Sequence, residues 1–231
     1  MPMRRSGFAI SFALQIAIVA FIAFTLAASA QKTPTPIKIV ADLSDAPRKL
    51  YHAEIDLPVN TGDATAGDAT FITPQWIPGT HRPLGPADAI TGVVFTANGK
   101  TLPWRRDEVK LYEFHVTIPA GVTTVHAHLD SIVTTRVSQK LAAFEWEYLL
   151  LYPAGIPVKE IPIEPSVKVP DGWGIGTALT PVKATAYPVP APGSTTEFAE
   201  TTVEQLEDSP VLTGQYFHEY ALAPEISPKH F

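Results

Sequence analysis

Apolar and polar residues alternate most cleanly over residues 51–57, where Tyr51, Ala53, Ile55 and Leu57 share one face and His52, Glu54 and Asp56 the other. A period of two with polar alternates predicts a half-buried strand. The pattern returns at Tyr112, Phe114, Val116 and Ile118, with Glu113, His115 and Thr117 opposite, and again at Val125, Ala127 and Leu129. A further strand is expected over residues 37–43. Val93, Val94 and Phe95 lead into Asn98-Gly99, a pair suited to the positive φ angles of a type I′ hairpin turn. Leu102 and Trp104 continue on the far arm, which Pro103 confines to a sheet edge. Phe144 to Tyr152 is dense in aromatic and Leu residues and is expected to be buried on both faces. Asn60 to Thr70, rich in Gly, Ala, Thr and Asp, reads as a mobile connection. Val203 to Glu207 is the one helical fragment, stopped by Asp208-Ser209-Pro210. With no repeat and no linker, the pattern predicts an all-β fold: an antiparallel β-sandwich with one short helix.

Composition supports many short segments. The chain holds 23 Pro in 231 residues, about twice an average usage of roughly 5%, which disfavours a helix bundle. The first thirty residues stand apart. Arg4 and Arg5 precede an apolar run from Phe8 to Leu26, and Ala28-Ser29-Ala30 supplies small residues before Gln31. That order predicts a signal peptide, residues 1–30, cleaved after Ala30, with the sandwich domain at 31–231. The run exceeds the roughly 7–15 residues usual for a signal core, so an uncleaved anchor is the alternative. Either way the rest faces the periplasm or the exterior.

Losing Arg4 and Arg5 takes the net charge from −6 to −8. No clustered basic face points to nucleic acid, and a membrane partner is expected only if the signal stays uncleaved. Cys is absent, so no disulfide contributes. The final residues, 225–231, read as a strand that begins and stops, which makes truncation at the carboxyl end an expectation.

Candidate chemistry is sparse. If residues 113–118 pair with 123–128 across a four-residue turn, His115 lies opposite His126 and Glu113 opposite His128, close enough for two imidazoles to share a metal. An ordinary wet sheet face is the favoured reading, so no metal ligand is assigned and Glu113, His115, His126 and His128 remain candidates only. Trp76, Gly79 and His81 suit a binding loop; the favoured alternative has Trp76 plugging the core. Arg105, Arg106, Asp107 and Glu108 read as a solvated turn with local ion pairs. Glu145 and Glu147 flank Trp146 on one face and suit an acid–base pair, although a structural strand with one polar face is preferred. No nucleophile elbow, P-loop, dinucleotide fingerprint or HExxH occurs. No catalytic residue is expected.

Six blocks in order, WIPGTHRPLGP, FTANGKTLPWRRD, YEFHVTIPAG, LLLYPAG, VPDGWGIGTAL and EDSPVLTGQYFHEYALAP, resemble the amino-terminal domain of the glycyl-aminopeptidase-like zinc peptidases, metallopeptidase family sixty-one. The resemblance runs from Ile37 to Phe231. It implies a β-sandwich ahead of a thermolysin-like catalytic domain, often followed by a PDZ domain. Zinc is implied only in that catalytic domain, held by two His of HExxH and a downstream Glu, so this chain itself is expected to carry no cofactor. Where relatives often place Asn around the Trp before LLYP, this chain has Glu145 and Glu147. Two function classes follow: a non-catalytic domain partnered in cis by a missing catalytic domain, with peptide as a further partner, or a free-standing secreted module that binds peptide or glycan.

Overall fold

Each alternating segment forms a strand with its apolar side inward. A computed structural model describes residues 34–59, 65–77, 79–80, 82–183 and 188–220. The signal segment, His81 and the terminal residues 225–231 lie outside the described residues. Strands in several sheets and one short helix make up the described fold.

The largest sheet has eight strands. At its centre β1 (Ile37–Asp42) and β2 (Leu50–Pro58) pair antiparallel, joined by a 3₁₀ turn at Ala46–Arg48. With β3 (Gly67–Ile72) assigned to a second sheet, the large sheet continues through β4 (Ile90–Ala97) and β5 (Lys100–Thr101). Asn98 and Gly99 take φ of 50° and 73°, as the turn between β4 and β5 requires. The predicted far arm then divides. After Thr101 the chain leaves for β6 (Trp104–Arg106), an edge strand of the second sheet, with Pro103 at the crossing.

β7 (Glu113–Ile118) pairs with β3 and β6, whereas β8 (Thr124–Ile132) pairs with β2 and β4. The expected 113–118/123–128 hairpin is therefore corrected. Residues 119–123 carry the chain from one sheet to the other, and the Val59 amide donates to the Thr123 carbonyl at 2.9 Å, tying the end of this crossing to β2. Alternation placed each side chain on the right face but left the partner strand open.

A third sheet is built later in the chain from β9 (Leu141–Phe144), β12 (Gly174–Gly176) and β15 (Val211–Gly214), in the order β12-β15-β9. β10 (Tyr152–Pro153) ends the second sheet beside β3. β11 (Pro162–Lys168) joins the large sheet and is flanked by β13 (Thr195–Glu197) and β14 (Thr201–Thr202).

The purely antiparallel expectation fails at one seam, because β1 and β11 run parallel from Ile37↔Ile163 to Asp42↔Lys168. A parallel pair needs a long crossover, and here it takes up everything from β2 to β10. Pro165 is tolerated inside β11 because the ladders to β14 and β13 leave a break at Glu164–Pro165, where no N–H is required.

Helix α1 (Val203–Glu207) is short but capped: Thr202 accepts the Gln205 amide at 3.2 Å. Val203 and Leu206 face inward. One apolar cluster takes residues from all three sheets, among them Tyr51, Phe71, Phe95, Phe114, Phe144 and Trp146. The expected mobile connection is also shortened, since Gly67–Thr70 already belong to β3.

Candidate functional site

The segment Phe144-Glu145-Trp146-Glu147 leaves β9 as a 3₁₀ turn, Trp146–Tyr148, rather than as a continued strand. That turn gives the two carboxylates different exposure but leaves them in hydrogen-bond contact. Trp146 is fully buried against Phe144, ring centroids 5.0 Å apart, and its indole N–H donates to the Ser209 carbonyl at 2.9 Å. Glu145 turns outward onto the Arg136 guanidinium. Glu147 turns inward and is buried.

Burial, reinforced by the charge of Glu145 and a carboxyl hydrogen bond to it, pushes Glu147 up to about 7. Glu207, at the end of α1, is pushed up to about 8 by burial and then by the charges of Glu147 and Asp208. Its Oε1 is buried with no hydrogen-bond partner. Glu207 and Glu147 lie sixty residues apart in the chain, so no local pattern pairs these two charges.

Beside the Arg136–Glu145 pair lies a cavity of about 1050 Å³, lined also by Leu179, Pro210, Leu212 and Phe217. Phe217 rests on the β12 backbone. A Cβ on Gly174 would stand 2.5 Å from the Phe217 Cβ, and one on Gly176 2.8 Å from its Cε2. The two glycines give the ring a flat seat. A largely apolar cavity with the Arg136–Glu145 ion pair at its margin is suited to binding.

The hairpin register that would bring the candidate metal ligands together does not form. His115 lies on β7 and His126 and His128 lie on β8, in different sheets. His115 and Glu113 instead meet Asp107, which sequence reading placed in a solvated turn. His115 Nε2 is 2.9 Å from Asp107 Oδ2 and 3.9 Å from Glu113 Oε2, while Nδ1 is 3.2 Å from the Thr70 hydroxyl. Their ligand atoms are close enough to share an ion, but the Lys110 ammonium already sits 2.9 Å from Glu113. Backbone amides of Lys110 and Val109, with His115, hold the Asp107 carboxyl well below the usual carboxylate range. The group thus staples the turn between β6 and β7. Arg106 is likewise engaged rather than solvated, donating to the carbonyls of Ala87 and Leu111 and lying 5.0 Å from the Phe114 ring centroid.

Trp76 is not a plug. It is 62% exposed on a loop whose backbone bridges Trp76 to Pro83. Trp146 and Trp173 occupy the interior instead.

Residues 38–215 match the family model of the Peptidase M61 N-terminal domain. Among solved structures, an aminopeptidase N family protein from Idiomarina loihiensis is 18% identical with a TM-score of 0.66, the alignment covering 82% of this chain and 31% of that one. The M1 zinc metallopeptidase from Deinococcus radiodurans is 9% identical with a TM-score of 0.43, covering 78% and 41%. Native leukotriene A4 hydrolase from Saccharomyces cerevisiae is 8% identical with a TM-score of 0.43, covering 78% and 28%. This chain thus spans well under two thirds of the length of each. No curated protein matches.

Proposed function

Because this chain belongs to the M61 peptidase family through its N-terminal domain, we propose that it is the non-catalytic support of a zinc aminopeptidase-like catalytic domain lying outside these residues. The family match over residues 38–215 carries the reading. The share of the Idiomarina protein that this chain leaves uncovered is consistent with it. The sheets around the shared apolar cluster are read as a β-sandwich, and the cavity beside Phe217 as the seat of the catalytic domain in cis, which would cover its apolar walls. Zinc-dependent hydrolysis needs a metal-bound water and a general base. With no HExxH in the chain, both would come from the catalytic domain.

Export fits the same reading, with residues 1–30 removed as a signal peptide. Mass spectrometry of secreted protein is expected to show Gln31 or its cyclised form first, and intact Met1 in membranes would mark an anchor instead.

The main test is an assay on aminoacyl-anilides with added zinc, run on this chain and on a polypeptide extended to include a downstream catalytic domain. Activity confined to the extended polypeptide is expected. Chelator-sensitive turnover by the chain alone would overturn the proposal. The exposure of Trp76 favours a second reading, a peptide- or glycan-binding module. Retention on an immobilised peptide or glycan that is lost in Trp76→Ala would support it.

A further inference from the structure

Six side chains on the solvent side of the β2–β8 seam, together with Asp45 from the turn before β2, form a row in which carboxylates and imidazoles alternate: Asp45, His52, Asp130, His128, Glu54, His126 and Asp56. His52 Nε2 is 3.4 Å from Asp45 Oδ2, and His52 Nδ1 is 2.6 Å from Asp130 Oδ1. The same Asp130 oxygen is 3.3 Å from His128 Nε2, and His128 Nδ1 is 2.8 Å from Glu54 Oε1. Glu54 Oε2 is 2.8 Å from His126 Nε2, and His126 Nδ1 is 2.9 Å from Asp56 Oδ1. The register makes this ladder, because His52 faces Asp130, Glu54 faces His128 and Asp56 faces His126. Each directly opposed pair is one acid and one base, and the diagonal contacts join the pairs.

A neutral imidazole has one N–H and one lone pair, whereas the protonated ring donates from both nitrogens. His52 and His126 each hydrogen-bond carboxylate oxygens through both nitrogens, whereas His128 does so through Nδ1 and only approaches Asp130 with Nε2. Only the imidazolium forms of His52 and His126 complete all their contacts. Loss of the proton turns one contact of each ring into a lone pair facing a carboxylate, and the proton leaves to water.

The surroundings favour the protonated rings. On β1, Asp42 lies opposite His52 and Lys38 opposite Asp56. Lys38 is drawn to Glu164 at 3.4 Å, Lys168 to Asp42 at 2.8 Å and Arg48 to Asp45 at 3.3 Å, so the nearby cations already have acidic partners. β4 brings no charge, since Thr91, Val94 and Thr96 lie opposite Asp130, His128 and His126. Its bulge places Gly92, at φ 61°, against the ladder, where a Cβ would stand 2.3 Å from Asp130 Oδ2. Burial lowers the affinity of both rings for a proton, but hydrogen bonds to Asp130 and Asp45 outweigh it at His52, as do those to Asp56 and Glu54 at His126.

We propose that this ladder is a proton-operated clamp: loaded in a mildly acidic medium it fastens β2 to β8, and on losing the protons of His52 and His126 it loosens the seam and leaves that face more negative. The test is ¹⁵N-resolved titration of the imidazoles in the full chain, with amide exchange of Ile55 and Ala127 at pH 6 and pH 8 corrected for intrinsic rate. Both rings are expected to titrate above the usual value of about 6.5, and seam protection to fall by about tenfold between the two pH values, the effect of one pH unit of linkage. Asp56→Asn is expected to lower the His126 midpoint and leave His52 in place, and Asp130→Asn to lower that of His52. These exposed or half-exposed isosteric changes preserve the apolar face. Titration of His52 and His126 at or below 6.5, or seam protection indifferent to pH in the unsubstituted protein, would overturn the clamp.

Discussion

Glu207 shows how one side chain can set a condition on stability. Its carboxyl is held near 8 by burial and by Glu147 and Asp208, so the folded chain keeps a proton that the unfolded chain releases near the ordinary value of 4.5. The stabilisation is fully present below 4.5 and is lost as pH rises to about 8. Glu207→Gln, which needs no proton, is therefore expected to raise Tm at pH 8.5 by about 4–8 °C, or roughly 2 kcal/mol, and to change it little at pH 4.5. Thermal melts at the two pH values check this, and equal shifts at both would count against it. The glycines under Phe217 give a second comparison. Gly174→Ala meets the Phe217 Cβ, which cannot swing away, whereas Gly176→Ala meets the far edge of the ring. The first should cost about 1–3 kcal/mol and the second clearly less, measured by urea denaturation; an inverted order would contradict the seat described for Phe217.

At the scale of elements, the alternation of β2, β7 and β8 identified their buried faces before any partner was known. Tyr51, Phe114 and Val125 are all buried. It did not identify the pairing, because a strand has the same inward face whether its neighbour is β7 or β2. The short 119–123 connection suited a hairpin equally well, and packing into different sheets decided against it. The β4 bulge was also hidden. Gly92 lies within an apolar run, and its positive φ becomes necessary only where β4 crosses Asp130. Gly92→Ala is expected to destabilise by about 1–3 kcal/mol through strain and the carboxylate contact. Loss of amide protection should centre on β4 and β8; uniform loss across all three sheets would argue against a local bulge.

For the whole molecule, the titrating groups act in the same direction over most of the pH range. His52 and His126 add stability below about 6.5 that is lost as pH rises through their raised folded values. Glu147 loses its contribution between 4.5 and about 7, and Glu207 between 4.5 and about 8. Asp42 acts oppositely at the acid end: burial raises its pKa, but Lys168 and Ser44 outweigh that, so its contribution disappears as pH falls below the usual carboxylate range. Stability should therefore peak at about pH 4–5 and fall steadily to pH 8.5. A Tm series across that range tests it, and a maximum at or above pH 7 would refute the balance of groups described here.

By itself the sequence determined the strand-rich character, the inward faces, the Asn98-Gly99 turn, the short helix and, through its ordered blocks, the family. These are local properties, governed by backbone conformation and by the period of apolar side chains. Tertiary structure alone decided that β1 and β11 run parallel, that Asp107 joins Glu113 and His115, that Glu207 comes under the charge of Glu147, and that His126 and His128 face β2 instead of His115. Each of these depends on which distant segments pack together. That choice is made by burying one common core, and no local pattern of residues carries it.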